Sequence, residues 1–369
     1  MTQPLTLEAI GARARELIGQ YRDPWLGRTF AELDAIRAIS AANGELRVEL
    51  VLPIPVGDYA EELASALAPV LAAGGIDLPV RLGVQAQIRS HAVQRSLKPL
   101  EGIRNIVAVA SGKGGVGKST VAVNLALAWA AAGARVGLLD ADIYGPSQPL
   151  MLGIAGQRPT TVDGKRIRPI AAHGVVAMSI GMLIDPDQPM VWRGPMATQA
   201  LTQLLTESNW GELDYLVVDM PPGTGDIQLT LAQRVPVAGA VIVTTPQDIA
   251  LADARKGLRM FEKVAVPVLG IVENMSVHVC SQCGHAESIF GEGGGDQLAA
   301  ESKTELLGRL PLDARIRAEA DGGRPSVVAA PHSPRAQAFR EFARRTAASL
   351  ARRSRDRASA FPKIVVEEG

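Results

Sequence analysis

The chain has 369 residues. At roughly 150 residues per domain, this length predicts one large domain with a small one and excludes a single small module. Hydrophobic residues make up 47% of the chain and charged residues 21%, which excludes wholesale disorder. The 38 basic residues balance the 38 acidic ones, so no overall field attracts the chain to nucleic acid or to an anionic membrane. We therefore expect no nucleic-acid partner and no membrane partner.

The N-terminal segment MTQPLTLEAIGARARELIG does not have the pattern of a secretory signal. Arginines interrupt its apolar residues, and it has neither a continuous apolar core nor a small-residue cleavage site. The most apolar stretch, residues 125–134, is shorter than the ~18 apolar residues that a membrane span needs. We expect a cytoplasmic protein without a transmembrane helix. In a reducing compartment its two cysteines, Cys280 and Cys283, need a chemical explanation rather than a structural disulfide.

The chain divides into two parts with different patterns. In residues 1–95, helical periodicity alternates with strand-like periodicity, which is typical of a small α+β domain. Its helices are predicted at 5–18 and 59–73, its turn at 23–27, and its strands at 46–55 and 79–88. The polar residues 96–103 are interpreted as a linker, residues 104–355 as the large domain and residues 356–369 as a C-terminal tail.

The large domain contains short apolar runs, bounded by glycine or aspartate, that alternate with longer helical patterns. The runs are IVAVA (106–110), VGLLD (136–140), YLVVD (215–219), GAVIVTT (239–245), VPVLGIVEN (266–274) and LLGRLPL (306–312). Strands as apolar as these are buried on both faces, with helices as crossovers. They predict an α/β fold with a mainly parallel, doubly wound sheet. Residues 158–180, which contain an Asp-Gly turn, are interpreted instead as a hairpin insertion.

A glycine-rich segment, SGKGGVGKST, follows the first predicted strand and precedes a helix predicted at 121–131. It satisfies the P-loop spacing G-x-x-x-x-G-K-[ST], in which backbone N–H groups cradle phosphates at a helix N-terminus. Lys118 is expected to reach the β- and γ-phosphates and Ser119 to ligate Mg²⁺. A merely flexible glycine turn is the alternative, and it is disfavoured because two of the eight lysines lie in this loop. The expected ATP contacts are Gly112, Lys113, Gly114, Gly115, Val116, Gly117, Lys118, Ser119 and Thr120.

The additional lysine, Lys113, distinguishes this loop from a plain P-loop. The form GKGGVGKS resembles the deviant Walker A loop of the class that includes MinD, ParA and the nitrogenase iron protein. That resemblance implies that Lys113 crosses a dimer interface and supplies positive charge to phosphoryl transfer at the partner's nucleotide. The alternative is one more solvated loop lysine.

Two aspartate motifs, LLDADIYGPS and LVVDMPPGTGD, stand at the ends of predicted strands. A carboxylate that closes a buried strand needs a cationic or hydrogen-bonding partner, and Mg²⁺ supplies one. Asp219 is interpreted as the Walker B carboxylate, Asp140 as a Mg²⁺ group behind the direct ligands, and Asp142 as the residue that orients the attacking water. For Asp140, capping of a helix N-terminus is the alternative.

Together the motifs resemble the Mrp/ApbC family of ATP-binding iron–sulfur cluster carriers, over about residues 98–345. The further motifs are WRGPM (192–196), IVENMS (271–276), CSQCGH, IFGEGGGD (289–296) and GRLPLDARIR (308–317). The resemblance implies that Asn274 contacts the adenine, which the loop near Pro311 flanks. It also implies a homodimer with a shared cluster, and apo iron–sulfur proteins and cluster scaffold proteins as partners.

The N-terminal hundred residues are similar to a small domain of iron–sulfur assembly type. Many such domains carry a cysteine between strand and helix, where this chain has PIPVG (53–57), and residues 1–279 contain no cysteine. A scaffold or docking role is therefore expected for this domain.

Cys280 and Cys283 form a C-x-x-C pair in a polar loop. Two thiolates leave tetrahedral zinc or a 4Fe–4S cluster half satisfied, so further ligands are needed. A second copy of the chain would supply two more thiolates, or His278 and His285 could complete a Cys₂His₂ zinc site within one chain. A redox disulfide is a third alternative. The family resemblance favours the shared cluster, most simply of 4Fe–4S type.

The predicted function is a slow, Mg²⁺-dependent ATPase that carries an iron–sulfur cluster to apo-proteins. One alternative is a positioning ATPase like MinD or ParA, which needs a targeting surface; the only candidate is the arginine-rich stretch from Arg335 to Lys363. The other is an ATP-dependent electron-transfer protein like the nitrogenase iron protein, whose ligand cysteines lie far apart in sequence. The apolar positions of the arginine-rich stretch predict a helix docked on its own domain. They are Phe339, Phe342, Ala343, Ala347 and Leu350.

Overall fold

The computed structural model describes residues 6–162, 164, 166–183, 194–280 and 282–353. Besides Ser281 of the CSQCGH motif, four predicted features lie partly or wholly outside these residues. They are Trp192 and Arg193 of the WRGPM motif, Asp163 of the Asp-Gly turn, the first residue of the helix predicted from residue 5, and everything from residue 354 onward.

The chain separates into two compact units. The first is formed by Met1–Ile88 and Ala131–Ala134, and the second by Arg89–Ala130 and Arg135–Gly369. Gln94 packs in the second unit, where its Nε2 donates to the Ala232 carbonyl at 2.8 Å and its Oε1 accepts from the Val237 N–H at 3.1 Å. The domain limits predicted from the sequence, residues 1–95 and 104–355 with a linker at 96–103, stay predictions.

Within residues 6–88, the first unit combines a small sheet with helices. The elements are α1 (Leu7–Gln20), α2 (Phe30–Leu33), β1 (Ile36–Ala42), β2 (Glu45–Leu52), α3 (Tyr59–Ala73) and β3 (Val80–Ala86). The central strand β2 runs antiparallel to β1 and parallel to β3. Its alternate residues Leu46, Val48, Leu50 and Leu52 are fully buried, as the period of two predicts. The α+β composition is as predicted, with β1 as an additional strand.

The second unit contains the remaining elements. Its strands are β4 (Ile106–Ser111), β5 (Val136–Asp140), β6 (Thr160–Val162), β7 (Arg166–Arg168), β8 (Ile170–Ala172), β9 (Val175–Ser179), β10 (Tyr215–Asp219), β11 (Gly239–Thr244), β12 (Val268–Glu273), β13 (His278–Val279), β14 (Ala286–Glu287) and β15 (Leu306–Arg309). Its α-helices are α4 (Lys118–Ala131), α5 (Gln148–Met151), α6 (Gly194–Glu207), α7 (Asp226–Arg234), α8 (Asp248–Lys263), α9 (Gly294–Glu301), α10 (Ala314–Asp321), α11 (Ser326–Ala329) and α12 (Pro334–Ala351).

Among the described residues of this unit, eight strands form one sheet in the order β15-β12-β11-β4-β10-β5-β9-β8. Seven of them are parallel, and only the edge strand β8 is antiparallel to its neighbour. The chain winds from β4 towards β5 on one side and then towards β11, β12 and β15 on the other. This is the predicted α/β fold with a mainly parallel, doubly wound sheet, and all six predicted apolar runs lie in it.

The interpretation of residues 158–180 as an insertion is only partly correct. β6 and β7 form an antiparallel pair, as a hairpin requires, and β8 pairs antiparallel with β9. However, β9 also pairs parallel with β5, so it is a strand of the main sheet. A strand can pair along both of its edges. The local turn signal predicts only the pairing of β9 with β8 and carries no information on its pairing with β5.

The helices cover the sheet with apolar side chains. α4 is apolar around most of its circumference and is buried from Val121 to Trp129. Trp129 stacks on Tyr215 with ring centroids 4.2 Å apart. In α12 the five predicted apolar positions are all buried, which confirms that this helix docks on its own unit. None of the helices in the described ranges combines the length and the apolar character that crossing a bilayer requires.

Candidate functional site

The predicted nucleotide site lies where three neighbouring strands of the sheet end. β10 lies between β4, which leads into the P-loop, and β5. The parallel register places Asp219, the last residue of β10, beside Asp140, the last residue of β5. Sheet topology therefore brings together, at the carboxyl edge, groups that are about eighty to a hundred residues apart in the chain.

The shape of the P-loop depends on its glycines and on its neighbours. Gly117 has a φ of +82°, a conformation that glycine adopts without strain. A Cβ atom at Gly117 would lie 2.2 Å from the Asn274 amide nitrogen, which itself donates to the Val116 carbonyl at 2.9 Å. At Gly112, a Cβ would lie 2.1 Å from the Asp253 carbonyl oxygen of α8. The loop thus depends on close contacts with Asn274 and Asp253, which any side chain at Gly117 or Gly112 would prevent.

Lys118, the first residue of α4, lies at the centre of the predicted site. Its Nζ is 2.5 Å from Asp219 Oδ1, 3.6 Å from Asp142 Oδ2 and 3.2 Å from Ser119 Oγ. The Lys118 side chain is 6% exposed and that of Asp219 is fully buried, so each charge depends on the other. Four residues predicted from the sequence are therefore within contact of one another.

Asp140 and Asp142 occupy different environments. Asp140 accepts hydrogen bonds from the backbone N–H groups of Asp142 and Gln148, at 3.2 and 3.1 Å, and from the Ser179 hydroxyl at 3.0 Å. Burial raises the pKa of Asp140 to about 7, and the neighbouring Asp219 charge acts in the same direction. Burial also raises the pKa of Asp142, which lies closer to Lys118. The bond from Gln148, at the start of α5, is of the kind that the helix-capping alternative for Asp140 predicts.

The sequence reasoning missed Gln148 and Ser179. Gln148 Nε2 donates to Asp219 Oδ2 at 2.8 Å and to the Ser119 carbonyl at 3.0 Å. Gln148 follows the aspartates in the motif LLDADIYGPSQP, and no periodicity or spacing marks it. Ser179 would have been found if β9 had been recognised as a sheet strand, because it stands at the same edge as Asp140.

The remaining predicted nucleotide contacts are spread around the loop. Gly114 and Gly115 are exposed, Val116 is buried, and Lys113 and Thr120 are half-buried. Within the described ranges, no acidic side chain forms an ion pair with Lys113. Asn274 is 7% exposed, and its amide is bonded to the P-loop as described above. Pro311 lines a cavity of about 760 Å³ together with Val277 and Leu312. The roles assigned to these residues stay predictions.

The C-x-x-C pair lies at the tip of a short hairpin, formed by β13 and β14. The turn is closed by the Cys280 N–H, which donates to the His285 carbonyl at 2.9 Å, and by the Gly284 N–H, which donates to the Cys280 carbonyl at 3.0 Å. Both thiols are free, and Cys283 is exposed. Backbone N–H groups of Cys283 and Gln282 donate to the Cys280 sulfur and lower the pKa of this thiol. The hairpin therefore presents two thiols side by side, one of them poised to ionise.

The two histidines beside the pair do not complete a metal site in one chain. His278 Nδ1 lies 3.0 Å from the Leu312 carbonyl, to which it can donate, and His285 is exposed. Among the described residues, which exclude Ser281, no group of three or more His, Cys, Asp or Glu side chains converges to hold a metal. Val279 and Ile289 near the pair are about half exposed. The Cys₂His₂ alternative is thus not supported by this arrangement, and in this structure the two cysteines are not joined to each other.

Comparison with known proteins gives a consistent result. Residues 102–347 match the protein family described as ParA, NUBPL iron-transfer P-loop NTPase. The chain is 51% identical to the iron-sulfur cluster carrier protein of Haemophilus influenzae, over 92% of this chain and 91% of that protein. It is also 51% identical to the iron-sulfur cluster transfer protein NUBPL of Mus musculus, over 70% of this chain and 81% of that protein.

A solved structure, the nucleotide-binding protein of Archaeoglobus fulgidus in complex with ADP, has 40% identity and a TM-score of 0.55. The similarity covers 61% of this chain and 88% of that one. This similarity agrees with the two sequence comparisons. The chain therefore belongs to the NUBPL iron-transfer family of P-loop NTPases.

Proposed function

We propose that this protein binds and hydrolyses ATP and carries an iron–sulfur cluster, held between two copies of the chain, for transfer to apo-proteins. The observation that carries this proposal is an exposed hairpin with two free thiols on the same unit as a buried phosphate-binding loop. The family description and the names of the relatives support the cargo, and the ADP complex of the Archaeoglobus fulgidus protein supports the nucleotide. Its partners would be cluster scaffold proteins and apo iron–sulfur proteins of the cytoplasm.

The residues at the strand ends fit Mg²⁺. Ser119, Asp219 and Asp140 offer the hydroxyl and carboxylate oxygens that Mg²⁺ prefers, and the two carboxylates are fully buried close together, where a cation relieves their repulsion. Bound with ATP, Mg²⁺ would be held by these residues and would offset the negative charge of the phosphates during hydrolysis.

The protein's own residues then have separate tasks. The Lys118 ammonium group leaves Asp219 and contacts the phosphates instead. Asp142, which lies beside Lys118, orients the attacking water. Lys113, which has no ion-pair partner among the described residues, extends to the nucleotide of the second copy. Hydrolysis by the isolated protein is expected to be slow, because no partner protein orders the site.

A count of ligands supports the shared cluster. A 4Fe–4S cluster takes about four thiolates, each chain has two, and no other cysteine exists in the sequence. A second copy of the hairpin is the simplest source of the other two. The half-exposed Val279 and Ile289 give the surface around the thiols the apolar character that suits a contact between copies.

Anaerobic reconstitution with iron and sulfide tests the proposal. We expect about four iron atoms per dimer, slow Mg²⁺-dependent ATP hydrolysis, and recovery of activity in an apo-enzyme that requires a 4Fe–4S cluster. One zinc ion per monomer, retained only when His278 and His285 are intact, would replace the shared cluster with a structural zinc site. ATP-dependent sedimentation with anionic liposomes would instead favour the positioning ATPase.

A further inference from the structure

Gln148 connects three groups of the candidate ATP site, although its residue type and spacing alone assign it no role. It is 1% exposed at the start of α5. Its backbone N–H donates to Asp140, and its side-chain nitrogen donates both to Asp219 and to the Ser119 carbonyl. One residue thus links the P-loop serine to both strand-end carboxylates.

Packing alone does not explain a glutamine at this position. Its Oε1 is buried and has no hydrogen-bond partner among the described residues. A buried carbonyl oxygen without a partner is unfavourable, and an apolar side chain of similar size would avoid that penalty. The feature that an apolar residue could not provide is the amide donor directed at Asp219.

The two oxygens of Asp219 have different donors. Lys118 occupies Oδ1 at 2.5 Å, and Gln148 occupies Oδ2 at 2.8 Å. If Lys118 turns towards the phosphates of ATP, as its place in the P-loop implies, Gln148 is the donor that remains. A carboxylate that keeps one fixed hydrogen bond keeps its orientation, as in other sites where an outer hydrogen bond orients a metal-binding group.

We propose that Gln148 is a positioning residue for ATP hydrolysis, whose amide holds Asp219 and Ser119 in the relative orientation that Mg²⁺ requires. This inference rests on the proposed ATPase function. Without the amide, Asp219 retains only Lys118 as a partner, so the Lys118–Asp219 pair competes more strongly with the Mg²⁺–nucleotide complex. The effect is therefore a greater need for Mg²⁺ rather than a loss of fold.

The test uses the full-length protein with Gln148→Met, which keeps the approximate volume and removes the donor. Binding of a fluorescent ATP analogue is titrated with Mg²⁺, hydrolysis is measured over the same range, and the melting temperature is recorded without ligand. We expect the Mg²⁺ concentration for half-maximal binding and hydrolysis to rise roughly tenfold. Binding should return to the wild-type level at excess Mg²⁺. The melting temperature should fall by a few degrees at most, because the buried Asp219 Oδ2 loses its donor while the Lys118 ion pair remains.

Thr304→Val is the matched control, because it removes another buried oxygen that lacks a partner among the described residues. Thr304 precedes β15 and so lies at the amino ends of the parallel strands, whereas the P-loop follows β4 at their carboxyl ends. The Mg²⁺ requirement of Thr304→Val should therefore equal that of wild type. Gln148→Glu is the second variant. It places a carboxyl group against Asp219, and its Mg²⁺ requirement should rise at least as much as that of Gln148→Met.

Three results would overturn the inference. The first is a wild-type Mg²⁺ requirement in Gln148→Met and Gln148→Glu. The second is a fall in melting temperature accompanied by a parallel loss of nucleotide affinity at all Mg²⁺ concentrations, which would assign Gln148 a structural role. The third is a wild-type protein without Mg²⁺-dependent nucleotide binding, and only this result would overturn the proposed function as well.

Discussion

The phosphate-binding loop and the cysteine hairpin lie in the same unit but differ in how far their polar groups are satisfied. Around the loop, Lys118, Asp219 and Asp140 are buried and joined by charged contacts and hydrogen bonds. At the hairpin, Cys283 is exposed and both thiols are free. The first region has its partners within one chain, whereas the second, in the function proposed above, supplies two of four thiolate ligands.

The difference follows from the energetics of burial. A buried charge without a partner is strongly unfavourable, so the loop region must be complete before any ligand arrives. An exposed thiol is solvated and carries no such penalty. A site of this kind can remain incomplete until a second molecule provides the missing ligands. Under the proposed function, the chain combines a preformed site with one that depends on assembly.

Lys118→Ala should have the largest effect, because it breaks the preformed site. We expect ATP hydrolysis to fall by roughly 10²–10³-fold, since the phosphates lose their main cationic contact. We also expect a loss of about 3 kcal/mol in the free energy of unfolding, because Asp219 stays buried without its cation. Phosphate release and urea unfolding measure the two effects.

Lys113→Ala is the control for stability in this experiment. Lys113 lies in the same loop without an ion-pair partner among the described residues, so its removal should change the free energy of unfolding by less than about 0.5 kcal/mol. Wild-type turnover in Lys118→Ala would contradict the assignment of the phosphate site.

Cys280→Ala and Cys283→Ala should affect iron binding at the hairpin without affecting ATP hydrolysis at the phosphate-binding loop. Each change leaves one thiolate per chain, so bound iron should fall from about four atoms per dimer to nearly none. ATP hydrolysis should stay within about twofold of wild type, because the thiols are not part of the phosphate-site network. Iron and sulfide analysis and phosphate release are the measurements. The His285→Ala variant should bind as much iron as wild type. Loss of iron in that variant would show that His285 is a ligand.

The buried carboxylates predict a specific pH dependence in the absence of Mg²⁺. Burial raises the pKa of Asp140 to about 7, above the value of about 3.9 in an unfolded chain. The folded state therefore holds this proton more tightly, and the contribution to stability is present at low pH and lost as pH rises through 7.

In EDTA, the free energy of unfolding of wild type relative to Asp140→Asn should accordingly decrease between about pH 4 and about pH 7 and then level off. Asparagine does not titrate, so the variant provides the reference without this component. Urea unfolding followed by tryptophan fluorescence gives both curves. Parallel curves for the two proteins would show that Asp140 is not the group responsible.

The smallest expected effect concerns the reactivity of the hairpin. Backbone N–H groups directed at its sulfur lower the pKa of Cys280, and the thiolate is the form that reacts. Alkylation of Cys280 by iodoacetamide, followed by mass spectrometry, should therefore have its pH midpoint below about 8.5. Cys283→Ala should raise that midpoint, because the Cys283 side chain also hydrogen-bonds to Cys280. A midpoint at or above that of an ordinary thiol would contradict this account of the turn.

The sequence predicted the six strands with apolar runs well and predicted β1 and β9 poorly. β4, β5, β10, β11 and β12 are almost entirely buried on both faces, so composition alone marks them, and β15 was found from its two leucines. β1 is largely exposed and has no alternating pattern. The residues that could have revealed it are Asn43 and Gly44, both with positive φ, which form the tight turn into β2. β9 was missed because hairpin signals report local pairing and say nothing of a distant partner.

The same distinction applies to the site. The P-loop and its carboxylates were predictable because each occupies a fixed place relative to a strand end. Gln148 was not, because its importance arises from contacts with Ser119, Asp140 and Asp219, which three separate segments bring to it. Such a role depends on tertiary packing and has no local sequence pattern.

The segment that carries the cysteines departs from the sheet after Glu273 and returns at α9, and its two ends are joined independently of the hairpin. Glu273 Oε2 accepts a hydrogen bond from the Gly295 N–H at 2.6 Å, and a Cβ at Gly294 would lie 2.5 Å from Leu251 Cδ1. The cysteine-bearing loop is in this respect an insertion whose two ends are fixed by contacts outside the hairpin. We expect that a hairpin of different length or chemistry, placed after Val277, would leave the register of the sheet unchanged, so the proposed cargo site can be altered separately from the phosphate site.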